Sequence, residues 1–512
     1  MAQISSHIPI PIFERPRPRP ALRYVNQELD RSDLPRLESM AETPADDSGP
    51  RRRVLVIASR FPPVASVGAT RVRKFVKYLP QFGWDPVVLT GAQRAGRISA
   101  HDVRRAVDLE SLNDIPETVP VHRLSAVLDN LPGHVSRRTA KLLGSLIGFT
   151  GMDEARWGAA LKWRLQRAHD CLTFPDRGIW RWPAAVRDAL RLHRQYDFDA
   201  IFSSGMPFSD HLIALTVSML IRRPWLADFR DPWVEYVHWR QWQSSRGQLL
   251  TLACEAAVVH RAARVLSVND SMTERFRARY PGLQKAKFVT LPNGFDPADF
   301  PKDRTFSEPN IFRLLHAGSL YAARSPQAVI EAFRRFIRET PDSADRARLD
   351  FAGRPGPFLT ELSRPEDRGT IRYVGMLPHS KALEAMAAAD VNLIILPDVP
   401  GSEGDSTAKM YECLGSGRMV LATVPLNGAA ARELRNYEGV QICAPDDVES
   451  IRRAIGEMYQ AWRTGTTRVA RPAGQLATID RRRQASKLAE ILTSVAARRS
   501  AVHAGRTPEY RG

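Results

Sequence analysis

The chain has 512 residues, too many for a single hydrophobic core and enough for two domains with tails. Hydrophobic residues make up 43% and charged residues 25%, a globular composition that excludes a disordered or fibrous chain. Lysine and arginine (74) exceed aspartate and glutamate (56) by 18, which favours anionic partners such as phosphorylated substrates, phospholipid head groups or nucleic acid.

Residues 1–50 are rich in proline, including Pro16-Arg17-Pro18-Arg19-Pro20, and read as a disordered tail. Order is expected from Arg53, where Val54-Leu55-Val56-Ile57-Ala58 suits a strand buried on both faces of a parallel sheet. Similar runs follow at 86–90, 119–124, 200–204, 225–229, 265–268 and 288–291, and again at 312–317, 349–352, 371–374, 391–396, 419–423 and 440–443. Strand alternating with helix, twice over, predicts two doubly wound α/β domains facing a cleft. The expected division is an N-terminal Rossmann-like domain over 51–300 and a second over 301–475, with the seam in the Pro- and Asp-rich stretch 296–310. A helix over 476–500 is expected to pack back on the first domain, and 501–512 to fray. The cysteines Cys171, Cys254, Cys413 and Cys443 lack any C-x-x-C spacing, which points to reduced thiols and to neither disulfide nor zinc. With no apolar leader and no apolar run long enough to span a bilayer, the expected place is the cytoplasm, in solution or peripheral on the inner face of the plasma membrane.

Ligands of such domains bind beyond the carboxyl ends of the strands, so the residues after each run are the candidates. After the first run, Phe61-Pro62-Pro63 leads to Gly68 and Arg71, where a glycine and a cation at a helix start suit an anion; an ordinary strand–helix connection is the plain alternative. After 200–204, Ser209 and His211 open a helix, with His211 expected to face the cleft; a lone histidine is as readily structural. Asp228-Phe229-Arg230-Asp231-Pro232-Trp233 gathers two acids and an arginine at a strand end. Asp197-Phe198-Asp199 has the look of a metal-binding D-x-D but precedes its strand, which reads as a solvated turn. In the second half, Gly318 closes a strand and Arg324 follows it. Ser406 and Thr407 then open a short helix on which Lys409 and Glu412 share one face. Small residues, a cation and a carboxylate suit a sugar nucleotide: amides and ammonium for the diphosphate, carboxylate for the ribose; a surface ion pair is the plain alternative.

Together these segments resemble the glycosyltransferase group 1 superfamily, or family 4, and most closely its polysaccharide-biosynthesis members. The likeness runs from about Arg53 to Arg453 and rests on order. Phe61-Pro62-Pro63…Gly68…Arg71 precedes Asp228 to Trp233, followed by Pro292-Asn293-Gly294, His316-Ala317-Gly318-Ser319 and Lys409 to Leu414. The resemblance implies a GT-B fold and a retaining, metal-independent hexosyltransferase with no cofactor beyond its nucleotide-sugar donor. The implied acceptor is a hydroxyl on a glycan or lipid-linked species in cell-surface polysaccharide or glycolipid synthesis. By position Glu412 looks like the ribose-binding glutamate, Arg324 like the diphosphate-binding lysine and Lys409 like a second cation at the leaving group. Catalytic candidates are therefore Lys409, Arg324, Asp231 and His211; nucleotide-sugar candidates are Gly68, Arg71, Gly318, Ser406, Thr407 and Glu412. Three positions depart from the pattern: Ser319 and Gly404 stand where the family has an arginine and a glutamate, and Arg230 stands where it has a histidine.

The stretch 131–168 interleaves seven lysines or arginines with Trp157, Trp163 and aliphatic residues. It suits the surface of an anionic membrane, or equally a solvated helical hairpin. A GT-B sugar-nucleotide epimerase and a nucleic-acid-binding protein are the competing classes. The first lacks a clear carboxylate–histidine set, and the second lacks any recognised module, so no nucleic-acid partner is expected.

Overall fold

A computed structural model of the chain describes residues 51–64, 67–91, 108, 110–124, 174–235, 245–301, 310–367, 369–399, 402–404, 406–465, 469, 471 and 473–504. The tail 1–50, the basic stretch 131–168 and Cys171 lie outside the described residues.

The first sheet holds β1 (Arg52–Ile57), β2 (Trp84–Thr90), β3 (Val121–Arg123), β4 (Ala200–Gly205), β5 (Trp225–Phe229), β6 (Arg264–Ser267) and β7 (Phe288–Thr290). They lie in the order β3-β2-β1-β4-β5-β6-β7. The second sheet holds β8 (Phe312–Ala317), β9 (Ala347–Ala352), β10 (Ile371–Gly375), β11 (Val391–Ile395), β12 (Met419–Thr423) and β13 (Val440–Cys443), in the order β10-β9-β8-β11-β12-β13. Every pairing in both sheets is parallel.

The apolar runs form these strands because both faces of each sheet are covered. In β1, Leu55 and Ile57 enter one core while Val54 and Val56 enter the other. In β11, Leu393 and Ile395 face one side and Ile394 the other. Each such aliphatic side chain contributes roughly 1.5–3 kcal/mol by leaving water. Both sheets reverse their strand order once, between β1 and β4 and between β8 and β11. At such a reversal the loops after the two strands run to opposite faces of the sheet, which is where ligands of doubly wound sheets bind.

Two chain crossings join the sheets side by side. Phe295 N donates to Ile479 O at 2.9 Å, and Arg481 N donates to Phe295 O at 3.0 Å. The returning chain forms the helix Arg481–Ala504, whose Ala485, Leu488, Ala489, Leu492 and Val495 pack in one cluster with Val54, Val56 and Phe75 of the first sheet's layer. Their spacing of three and four is that of one helix face. Trp84 Nε1 pins the helix by donating to Thr493 Oγ1 at 3.0 Å. Among the described residues no helix is long and apolar enough to cross a membrane. Cys254, Cys413 and Cys443 are free thiols.

Candidate active site

On the first sheet's side, the loops after β1, β4 and β5 are tied to one another by buried polar groups. Asp210 accepts from Ser59 N at 2.7 Å and also from Ser59 Oγ, fixing the loop after β1 to the helix Ser209–Ile221. Burial pushes the Asp210 carboxyl above its ordinary value, against the pull of Arg181 and Ser59. Arg71, on the helix Val67–Tyr78, forms a bidentate pair with Asp228 at 2.8 and 3.0 Å. It donates further to Pro292 O at 2.7 Å and Leu291 O at 2.8 Å, and is 0% exposed. Burial works against the charge of Asp228, but Arg71 outweighs it and holds that carboxyl below its ordinary value. Arg71 is thus a clamp between β5, β7 and the first helix, which corrects the expectation that it meets the nucleotide sugar.

Gly68 also differs in what it admits. A Cβ there would stand 1.5 Å from Arg230 Nη1, so the close approach is made by the Arg230 guanidinium. Arg230 in turn donates to Gly205 O at 2.9 Å and to Met206 O. Arg230, where the family has a histidine, therefore braces the loops after β4 and β5.

His211 is fully buried and does not line the cleft, contrary to expectation. Its ring lies 4.5 Å from that of Phe229, with Phe208, Trp225 and Trp233 around it. Its Nδ1 bonds Ser203 Oγ at 2.8 Å, an oxygen that also accepts from Trp225 Nε1 at 2.8 Å. Burial drives its pKa down to about 3. The helix packs this residue inward because position 211 shares its face with the buried Ala214 and Ser218. Asp231 sits half-buried just beyond β5. Its loop is held by Trp233 stacking on Phe208 at 4.7 Å and by Val234 N donating to Glu255 at 3.1 Å.

On the second sheet's side, Gly318 N donates to Ala352 O at 2.9 Å, and the chain turns to Arg324, whose guanidinium lies 5.0 Å over the Tyr321 ring. Among the described residues Arg324 has no carboxylate partner, and its Nε is buried without a hydrogen bond. His316 at the end of β8 donates from Nδ1 to Leu393 O at 3.1 Å, leaving Nε2 against Gly318. Burial takes its pKa down to about 4, with the charges of Arg324 and Lys409 adding to the effect. Both cations therefore bear on the same strand end.

The helix Ala408–Gly415 carries Lys409 and Glu412 on one face. Lys409 Nζ meets Glu412 Oε2 at 2.9 Å, and His379 Nε2 donates to Glu412 Oε1 at 2.9 Å. Burial disfavours the Glu412 charge, but Lys409 and His379 outweigh it and hold the carboxyl well below its ordinary value. For Lys409 too, burial opposes and Glu412 prevails, keeping the ammonium charged. Thr407 stands at the helix N-cap with extended backbone, and Ser406 Oγ accepts from Asn269 of the first sheet's layer at 3.1 Å.

Arg324, Lys409 and Glu412 thus gather at the carboxyl ends of the second sheet, with Gly318, Ser406 and Thr407 on the adjoining loops. His379, Asn269 and Asp210 escaped the sequence reading. The one usable signal was that 379 begins a helix directly after a predicted strand. Asp197 and Asp199 lie at the amino end of β4: Asp197 pairs with Arg223 at 2.6 Å, and Asp199 accepts from Arg53 N at 2.9 Å. Among the described residues no cluster of three or more His, Cys, Asp or Glu could hold a metal ion.

A family model described as a glycosyl transferase 4-like domain matches residues 68–294. No curated protein matches the chain. Among solved structures, the chain is similar to the sucrose-phosphate synthase of Thermosynechococcus elongatus at 15% identity and a TM-score of 0.50, covering 89% of this chain and 99% of that one. It is similar to the α,α-trehalose 6-phosphate synthase of Burkholderia multivorans at 12% identity and a TM-score of 0.52, covering 88% and 99%. The N-terminal domain of the trehalose-6-phosphate phosphatase of Candida albicans gives 14% identity and a TM-score of 0.53, over 86% and 96%. At such identities the structures speak for the fold, and the family model for the first half of the chain. The chain therefore has the two-domain GT-B fold, and its residues 68–294 match a glycosyl transferase 4-like domain.

Proposed function

We propose that the protein is a retaining, metal-independent glycosyltransferase that moves a sugar from a nucleotide-sugar donor to a hydroxyl acceptor in cell-surface polysaccharide or glycolipid synthesis. The observation that carries this reading is the convergence of Arg324, Lys409 and the His379-held Glu412 at the strand ends of the second sheet. Departure of a nucleoside diphosphate develops negative charge, and fixed cations aimed at its oxygens stabilise that transition state. Arg324 and Lys409 take this role, and Glu412 accepts hydrogen bonds from the ribose. The acceptor hydroxyl attacks the anomeric carbon on the face the diphosphate leaves, and its proton passes to a leaving-group oxygen. Asp231, at the opposite sheet's strand end, orients the acceptor or the donor sugar. Residues 131–168 dock the enzyme on an anionic membrane, where a lipid-linked acceptor is found.

Incubation with a panel of nucleotide sugars, with and without acceptor lipids and glycans and with and without EDTA, tests the reading. Nucleoside diphosphate release that needs an acceptor and survives EDTA supports it. Conversion of the sugar nucleotide without an acceptor would establish the epimerase instead.

A further inference from the structure

The helix Asp270–Arg279 belongs to the first sheet's layer, yet its amino end reaches the loop that opens the Lys409 helix. Asn269, its N-cap, divides its side chain between two tasks. Oδ1 accepts from Met272 N at 2.8 Å and caps its own helix. Nδ2 crosses to the second sheet's layer and donates to Gly404 O and Ser406 Oγ, both at 3.1 Å. The residue is 7% exposed, so these bonds are made away from water, where a lost partner is not simply replaced by solvent.

A second residue of the same helix makes the contact two-point. The Arg275 guanidinium lies against Gly404, where a Cβ would stand 2.5 Å from Nη2 and would push the guanidinium aside. Arg275 Nε pairs with Glu235 Oε2 at 3.2 Å. Glu235 follows Asp231 on the same loop, and Arg279 pairs with it as well. A polar chain therefore runs from the Asp231 segment through Glu235 and Arg275 to Gly404, and through Asn269 to Ser406 and the start of the Lys409 helix.

We propose that Asn269 is a positioning residue for donor binding: from the first layer it fixes Gly404 and Ser406, and so the start of the helix that presents Lys409 and Glu412 to a nucleoside diphosphate. The inference rests on the donor site proposed above. It places control of donor affinity partly in the domain that faces the acceptor, because the same helix braces the Asp231 segment.

Asn269→Ser separates this role from folding, since serine keeps a hydroxyl to cap the helix but cannot reach Gly404 and Ser406. Calorimetry with UDP, GDP and ADP identifies the nucleoside diphosphate that the unaltered protein binds. For that nucleotide, at a temperature where both proteins are fully folded, Asn269→Ser should bind roughly tenfold more weakly, since binding must then order the Gly404–Ser406 loop, and its melting temperature should fall by only a few degrees. Arg275→Gln should shift affinity in the same direction. Hydrogen exchange of peptides spanning 402–412 should quicken in Asn269→Ser, a readout that needs no ligand. Unchanged exchange, or unchanged affinity in the folded variant, overturns the proposal. Faster exchange in a protein that binds no nucleoside diphosphate would uphold the contact but sink the donor-site reading.

Discussion

His379 holds Glu412 at 2.9 Å from the first residue of its own helix, His379–Ala388, on the side of the carboxylate opposite Lys409. One oxygen of Glu412 faces an imidazole and the other an ammonium. The carboxylate is thereby fixed in place, which on the proposed donor site lowers the ordering cost of binding a ribose.

Replacing His379 by Ala should therefore weaken nucleoside diphosphate binding about three- to tenfold, since one charge-assisted hydrogen bond orienting Glu412 is lost. Glu412→Ala should weaken it further and lower the preference for ribose over 2′-deoxyribose. Calorimetric titration of each variant with ribo- and deoxyribonucleotides checks both points. An unaltered ribose preference in Glu412→Ala would place the ribose elsewhere.

Lys409 carries a different expectation. Removing one preorganised charge contact to a leaving group typically lowers turnover by about 10²-fold or more, so Lys409→Ala should retain the fold and lose kcat. His379 still accompanies Glu412 in that variant, so the carboxylate is not stranded. Initial rates of nucleoside diphosphate release measure this. A variant with full turnover would remove Lys409 from the chemistry.

Arg71 and Asp228 bear on stability. Both side chains are 0% exposed, and losing either strands a buried charge. Arg71→Ala should cost about 3–5 kcal/mol in chemical denaturation. Arg71→Lys should recover little of it, because an ammonium cannot reproduce the two-point contact with the carboxylate. A loss below about 1 kcal/mol would contradict the clamp.

Acid should destabilise the protein through its buried histidines. His211 falls to about 3 and His316 to about 4 from an ordinary 6.5, with burial the leading cause in each. Between those values the unfolded chain takes up protons that the folded chain refuses, so stability is full above about pH 6.5 and falls as pH drops toward 4. Each histidine contributes up to about 1.4 kcal/mol per pH unit across that window. Denaturation midpoints over pH 7 to 4 should therefore decline, and less steeply in His211→Phe. Equal slopes in both proteins would contradict a neutral, enclosed His211.

The strands were legible because both faces of each sheet are buried, which turns strands into continuous apolar runs. The errors have local causes: β9 begins at Ala347 and not at 349, since Arg348 interrupts the apolar pattern. Pairings were not legible. Arg71 and Asp228 stand 157 positions apart, and each alone looks like a charged residue at a ligand cleft. Only the adjacency of β4 and β5, with the first helix laid across them, shows that they neutralise each other. His379 was missed likewise, because its partner lies 33 residues away on a helix brought beside it by strand order. His211 misled for a simpler reason: being near a strand end does not fix which way a helical side chain turns.

The most direct test of the donor site compares a nucleoside diphosphate with its monophosphate by calorimetry on the unaltered protein and on Arg324→Ala. Arg324 has no carboxylate partner among the described residues, so its removal strands no charge and leaves the fold intact. The account predicts that Arg324→Ala binds the diphosphate at least about tenfold more weakly while its monophosphate affinity stays within twofold, since the lost contact is to the outer phosphate. Equal affinities for the diphosphate in both proteins would contradict a donor site built on Arg324, Lys409 and Glu412.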